Sequence, residues 1–113
     1  MKIIQDKITL KELKGMAKEK FGNLVKAVVD VEKEIMAIDA PMHADQEAEL
    51  LRKGSKQRNL WGINLYPEKT GREFIEFDSI INLRPSQKNR SRGVDDPEIR
   101  RKIINIVNKL VEK

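Results

Sequence analysis

The chain has 113 residues, which fits one domain, because two independent cores would each bury too little surface. Hydrophobic residues make up 39% and charged residues 36%. This balance supports a core and excludes intrinsic disorder, and no apolar run approaches the roughly 20 residues of a membrane span. The formal net charge of +5 mildly favours anionic partners. The absence of cysteine excludes disulfides and thiolate zinc sites.

The start of the chain predicts a cytoplasmic protein. Charge appears at Lys2 and Asp6, and no apolar signal segment follows. We find no internal repeat, linker or cofactor motif, so residues 1–113 are predicted to form a single domain without a cofactor. The run Gly54-Ser55-Lys56 lacks the spacing of a phosphate-binding loop and follows a predicted helix rather than preceding one.

The N-terminal part predicts a short strand at Lys2–Gln5 and then a helix from about Leu10 to Lys20. Thr9 and Glu12 have the spacing of a capping box, in which each side chain accepts from the other residue's backbone N–H. Gly22 is well placed to end the helix in the left-handed conformation.

The next elements are a predicted β-hairpin and a second helix. Alternating β-branched residues predict a strand at Val25–Val31, and Ile35–Ile38 is the returning strand. The turn between them lacks the Asn-Gly or Asp-Gly of a strong hairpin signal. A short helix is predicted from Ala44 to Lys53 and ends at Gly54. Its inward residues are predicted to be Ala44, Ala48 and Leu51.

The C-terminal half predicts a second strand pair, Leu60–Tyr66 and Phe74–Leu83, followed by a polar loop and a last helix. That helix opens at Asp96-Pro97-Glu98, which combines an N-cap carboxylate, a first-turn proline and an acid near the positive helix end. Its buried stripe consists of Ile99, Ile103, Ile106, Val107 and Leu110.

The element order (β)αββαββα predicts an α+β domain with a mostly antiparallel sheet of four to five strands. Short connections within each strand pair favour antiparallel pairing. The first and last helices each have one apolar stripe, so both are expected on the same sheet face. The other face carries polar groups and is expected to be partly covered.

Four segments carry a resemblance to a known family. They are His43-Ala-Asp45, Gly54-Ser55-Lys56-Gln57, Leu60-Trp61-Gly62-Ile63-Asn64-Leu65-Tyr66-Pro67 and Ile80-Ile81-Asn82-Leu83-Arg84-Pro85. With these, nearly the whole chain resembles a family of short uncharacterised prokaryotic proteins catalogued as a domain of unknown function. The resemblance implies no activity, cofactor or partner, so the chemistry is argued from the residues.

The first candidate site is the basic loop from Arg84 to Arg92 before the last helix, in which every charged side chain is cationic. Arginine forks and loop N–H groups suit phosphate oxygens. The residues predicted to bind an anion are Arg84, Lys88, Asn89, Arg90 and Arg92. The alternative is a solvated loop whose arginines pair with Asp95, Asp96 or Glu98.

Two further observations bear on nucleic-acid binding. A second basic cluster, which the sequence does not place on either side of the sheet, consists of Arg52, Lys53, Lys56 and Arg58. Aromatic stacking platforms are scarce, since the obvious candidates are Trp61 and Tyr66 and strand alternation puts them on opposite faces.

The second candidate site is the polar face of the second strand pair. Gly62, Asn64 and Tyr66 share one side of the first strand. The polar residues on one side of its partner are Glu76, Asp78, Asn82 and Arg84. If the register brings the two sets together, Glu76 and Asp78 are weak candidates for holding Mg²⁺ or Mn²⁺ in phosphodiester cleavage. The alternative is an ordinary solvated strand face.

The third candidate is His43, the single histidine and a weak catalytic candidate. Asp45 is predicted either to orient the His43 imidazole or share a metal with it, or to act only as a cap or dipole partner of the following helix. From these candidates the leading prediction is a non-enzymatic domain that binds an anionic partner, nucleic acid included. One alternative is a Mg²⁺- or Mn²⁺-dependent phosphodiesterase or nuclease. The other is a protein-interaction module that pairs through a strand edge, including as a homodimer.

Overall fold

The computed structural model describes all residues from 1 to 113 and has the predicted α+β architecture. The strands are β1 (Lys2–Ile4), β2 (Ile8–Thr9), β3 (Val25–Asp30), β4 (Ile35–Ile38), β5 (Leu60–Leu65), β6 (Ile75–Glu76) and β7 (Val111–Glu112). The main sheet has five antiparallel strands in the order β1-β4-β3-β5-β6, and β2 pairs in parallel with β7. The helices are α1 (Leu10–Lys20), α2 (His43–Arg52) and α3 (Pro97–Leu110). None of them has the length and apolar character that crossing a membrane requires.

Helix α1 begins and ends as the sequence predicts. The Thr9 hydroxyl accepts from the Glu12 N–H at 3.1 Å, and the Glu12 carboxylate accepts from the Thr9 N–H at 3.2 Å. This is the predicted capping box. Gly22 has φ of +90°, and its N–H donates to the Ala17 carbonyl at 2.6 Å.

The β3–β4 hairpin turns without a glycine because a buried aspartate side chain closes the turn. Asp30 Oδ1 accepts from the N–H groups of Glu32 and Lys33, both at 2.9 Å. Asp30 Oδ2 accepts from the Ser55 hydroxyl at 2.6 Å, which ties the hairpin to the segment after α2. The side chain therefore replaces the turn residues that the sequence lacks.

Helices α1 and α3 pack on the same sheet face, as predicted. They bury the inward side chains of β3 and β5 in one core. From the helices this core contains Leu13, Ala17, Ile103, Ile106, Val107 and Leu110, and from the sheet it contains Ile4, Val25, Ala27, Val29, Met36, Ile38, Trp61, Ile63 and Leu65.

The opposite sheet face is also covered, and the predicted inward face of α2 is wrong. Ala44, Ala48 and Leu51 are exposed, whereas the buried residues of α2 are His43, Gln46 and Leu50. Leu50 packs against Val28, Ala37 and Leu60 of the sheet. The two polar residues turn inward because each bonds to a sheet carbonyl: Gln46 Nε2 donates to the Lys26 carbonyl at 2.7 Å, and His43 Nε2 to that of Ile63 at 2.7 Å.

The predicted strand Phe74–Leu83 is wrong beyond Glu76. Strand β6 has two residues, and residues 78–93 form an irregular cover segment that crosses the face and the outer edge of β5. Ser79 starts this path: its N–H donates to the Arg92 carbonyl at 2.9 Å, and its hydroxyl accepts from the Ile81 N–H at 3.3 Å. Gly62 of β5 makes room for it, since a Cβ there would lie 2.5 Å from the Ser79 Cβ.

Candidate functional site

The cover segment completes the outer edge of β5 with a side chain instead of a strand. Asn82 is fully buried. Its Oδ1 accepts from the Gly62 N–H at 2.9 Å, and its Nδ2 donates to the Gly62 carbonyl at 3.0 Å and to the Arg92 carbonyl at 2.9 Å. A single amide therefore satisfies both backbone groups of Gly62, which lies beyond the two residues that pair with β6.

Arg84 has a structural position that differs from its predicted role in anion binding. The residue is only 9% exposed, and its guanidinium lies 4.2 Å from the centre of the Trp61 ring. It donates to the Gln57 carbonyl and, at 2.5 Å, to the Leu60 carbonyl. Burial lowers the pKa of Arg84, and the charge of Glu47 acts in the opposite direction. These contacts leave Arg84 little access to an external anion.

Asn89 is likewise buried rather than presented to solvent. Its Nδ2 donates to the carbonyls of Asn82 at 2.7 Å and Gly93 at 2.8 Å, and its Oδ1 accepts from the Asp95 N–H at 2.8 Å. The side chain folds the basic loop back on itself. Both polar atoms of the Asn89 side chain are therefore already hydrogen-bonded and are not available for the predicted contact with an anion.

Of the remaining loop cations, Arg92 is paired and two are free. The Nε of Arg92 donates to Asp78 Oδ1 at 2.7 Å, so its partner differs from the acids that the solvated-loop alternative named. Asp95 instead accepts from the Arg90 N–H at 2.8 Å and from the Ser91 hydroxyl. The side chains of Lys88 and Arg90 are exposed and form no ion pair.

The second basic cluster lies beside this loop. Gln87 Nε2 donates to the Arg58 carbonyl at 3.1 Å, and Arg84 reaches the carbonyl next to it. Arg52 and Lys53 are paired with Glu49. The cations that remain exposed and without an ion pair on these two segments form what we call the basic surface: Lys56, Arg58, Lys88 and Arg90.

The strand register brings only part of the predicted polar face together. Asn64 pairs with Glu76 across the sheet, and Asn64 Nδ2 donates to Glu76 Oε1 at 2.8 Å. The Tyr66 hydroxyl donates to the same oxygen at 3.0 Å. The pKa of Tyr66 is raised, mainly by burial and secondly by this hydrogen bond. Asn82 and Arg84 lie instead at the strand edge, away from Glu76.

Glu76 and Asp78 are poor ligands for the metal ion of the phosphodiesterase alternative. One Glu76 oxygen already accepts two hydrogen bonds, and Asp78 is engaged by Arg92. Nowhere in the chain do three histidine or carboxylate side chains cluster closely enough to hold a metal ion. The residues therefore do not fit a divalent cation site in this arrangement.

His43 anchors α2 to the sheet. A carbonyl only accepts hydrogen bonds, so the bond to Ile63 requires that Nε2 carries the proton. Burial lowers the pKa of His43, and this effect outweighs the bond to Ile63. Asp45 is exposed and makes no side-chain hydrogen bond to the ring, so the predicted orienting role is not seen.

Sequence reasoning did not single out Asp30 and Gln46, and it placed Asn82 on an accessible polar face. The structure buries all three, and they hold separate segments together. The one available signal was a polar residue inside an otherwise apolar pattern. Such a residue on a strand or helix is usually solvent-facing, so the signal does not distinguish burial from exposure.

Together these features define a small α+β domain whose sheet is covered on both faces and whose cover segment carries half of a basic surface. The chain belongs to the family described as a protein of unknown function (DUF5674), whose model matches residues 2–110. No curated protein and no solved structure matches it.

Proposed function

We propose that this protein is a binding domain that recognises a polyanion, nucleic acid in particular, through the basic surface. The observation that carries the proposal is the junction of two chain segments: Gln87 bonds to the backbone of Arg58, and four exposed cations without acidic partners lie on the joined segments. Exposed cations that no neighbouring acid neutralises are the groups that bind phosphate.

The proposed binding mode uses phosphates and not base stacking. Trp61 is 2% exposed and Arg84 occupies one face of its ring, so no base reaches it. Tyr66 is partly exposed, with Lys69 Nζ 4.6 Å from its ring centre. A surface of this kind favours contacts with the backbone of the nucleic acid, and it predicts little dependence on base sequence.

The proposal is tested by fluorescence anisotropy with a labelled DNA duplex at several salt concentrations. The double variant Arg58→Gln/Arg90→Gln should weaken binding. The magnitude of its negative slope of log affinity against log salt concentration should decrease by roughly 0.9 for each lost phosphate contact.

The matched control is Lys11→Gln/Lys18→Gln on α1, which removes the same charge from exposed positions without ion pairs. Its slope should equal that of the unaltered protein. Absence of binding at low salt, or an equal loss in the control, would show that the basic surface is not a polyanion site.

The alternative proposal, a Mg²⁺- or Mn²⁺-dependent phosphodiesterase or nuclease, is the weaker one, because Glu76 and Asp78 are already engaged by Asn64, Tyr66 and Arg92. If it held, the protein would cleave nucleic acid with added Mn²⁺, and Glu76→Gln would abolish the cleavage. Equal cleavage by the variant, or none by either protein, removes this alternative.

The cellular location is inferred from sequence features. We infer a cytoplasmic, prokaryotic protein from the lack of cysteine and from the resemblance noted above.

Self-association is inferred from the sheet edges. The edges open to self-pairing are β1 and β6, of three and two residues. Light scattering at high concentration tests for a homodimer, and a monomer mass would count against one.

A further inference from the structure

A groove of about 560 Å³ opens between α3 and the chain around β6, at a different place from the basic surface. Its apolar lining consists of Phe74, Ile75, Phe77 and Ile104. Phe74 belongs to the main core, whereas Ile104 remains 38% exposed on the outer side of α3. Covering this exposed apolar surface with an apolar ligand removes it from water, which is favourable.

The charged lining of the groove has one sign. It consists of Arg72, Arg100 and Lys113, and no acidic residue lines the groove. None of the three forms an ion pair within 4.0 Å. Lys113 Nζ lies 4.5 Å from the centre of the Phe74 ring, and Arg100 Nη1 is held by the Val94 carbonyl at 2.5 Å. Apolar surface and cations without an ion pair therefore share one concavity.

We propose that this groove binds a small amphiphilic carboxylate, with a hydrocarbon body on the apolar lining and the charged head among the cations. The volume lies within the roughly 300–1,000 Å³ of small-molecule sites. The apolar lining supplies affinity through burial, and the cations select an anionic head over a neutral one.

This ligand class is independent of the polyanion proposal. The basic surface lies on residues 56–58 and 88–90, none of which lines the groove. A nucleic acid has no hydrocarbon body to place on Phe77 and Ile104, and a fatty acid carries a single charge, whereas the basic surface has four cations. Either site can fail its test while the other passes.

Three probes separate the contributions of charge and apolar surface: octanoate has both, 1-octanol lacks the charge, and acetate lacks the hydrocarbon body. Titration of the full chain is followed by amide chemical shifts. Octanoate should bind tightest and shift the amides of residues 71–77 and 100–108. Equal affinity for octanoate and acetate, equal affinity for octanoate and 1-octanol, or shifts elsewhere would overturn the proposal.

Two variants test the groove itself. Ile104→Glu places a negative charge on its exposed lining and should abolish octanoate binding. The matched control Ile80→Glu adds the same charge at an isoleucine that is 59% exposed and does not line the groove, and it should bind normally. Both positions are exposed, so both variants should fold, and unchanged unfolding curves verify this.

A second pair of variants distinguishes this proposal from that of polyanion binding. Arg72→Gln should weaken octanoate roughly three- to tenfold, the loss of one charge-assisted contact, and leave DNA affinity unchanged. Arg58→Gln should weaken DNA binding and leave the affinity for octanoate unchanged. If Arg72→Gln binds octanoate as the unaltered protein does, the cations of the groove do not recognise the head group and the proposal fails.

Discussion

Buried polar side chains in this protein bind backbone groups of neighbouring segments. Arg84 and Asn82 both bond to β5, Asn89 folds the basic loop, and Asp30 closes a hairpin turn. A buried donor or acceptor without a partner costs about 1–3 kcal/mol, which explains why these groups bond to the backbone. One exception is Arg84 Nε, which is buried without a partner. Their role is to hold irregular chain in place.

Arg84 provides the sharpest test of this role. Arg84→Met should destabilise the protein by about 2–4 kcal/mol, because two carbonyls lose charged donors and the Trp61 ring loses its cation. Urea unfolding measures the change. The control Arg90→Met, at an exposed position without a side-chain hydrogen bond, should stay within about 0.5 kcal/mol. A stable Arg84→Met protein that has lost polyanion affinity would instead assign Arg84 to the binding surface.

His43 predicts how stability depends on pH. Burial lowers its pKa in the folded protein below the ordinary 6.5, so the unfolded chain binds the proton more readily. Stability is then full above about pH 6.5 and falls as pH drops below it, by up to about 1.4 kcal/mol per pH unit. His43→Gln should flatten the dependence of the unfolding free energy on pH in the range just below pH 6.5. An unchanged pH profile would show that the ring is not the group responsible.

At the scale of elements, the notable feature is the way the cover segment takes the place of a longer β6. Strand β6 pairs with only the end of β5, at Asn64 and Leu65. The rest of the β5 edge is completed by the side chains of Asn82 and Arg84. An open edge invites pairing with other chains, so covering it with side-chain donors and acceptors protects the sheet.

Glycine substitutions test the fit of the cover segment. Gly62→Ala should destabilise the protein by about 1–3 kcal/mol, because its Cβ would meet the Ser79 Cβ at 2.5 Å. Gly15→Ala, in the middle of α1 with no atom within 4 Å, should stabilise it by about 0.5–1 kcal/mol. Combining Gly62→Ala with Ser79→Gly should recover part of the loss, and purely additive effects in thermal unfolding would contradict the predicted contact.

At the scale of the whole molecule, the sheet separates the main core from a smaller apolar cluster. The main core lies under α1 and α3, and the smaller cluster lies under α2 with Ile81 of the cover segment beside it. The basic surface and the groove lie at different places on this frame, and each has cations that form no ion pair. These cations contribute to the net charge of +5 together with others elsewhere, such as Lys11 and Lys18 on α1.

The sequence by itself determined the elements whose signals are local. The capping box of Thr9 and Glu12, the left-handed Gly22 and the Asp96 cap of α3 depend on residues within a few positions of one another. The alternation in Val25–Val31 likewise separated the two faces of β3 correctly, because side-chain direction in a strand has a period of two.

Only the tertiary structure decided which polar residues are buried and which cations are free. His43 and Gln46 turn inward because they donate hydrogen bonds to sheet carbonyls that are distant in sequence. Arg84 is buried because it donates to two carbonyls and stacks on the Trp61 ring. Arg58 joins the basic loop through one contact across 29 residues. A polar side chain is buried where it finds a hydrogen-bond partner. When that partner is remote along the chain, no local sequence pattern reveals the burial.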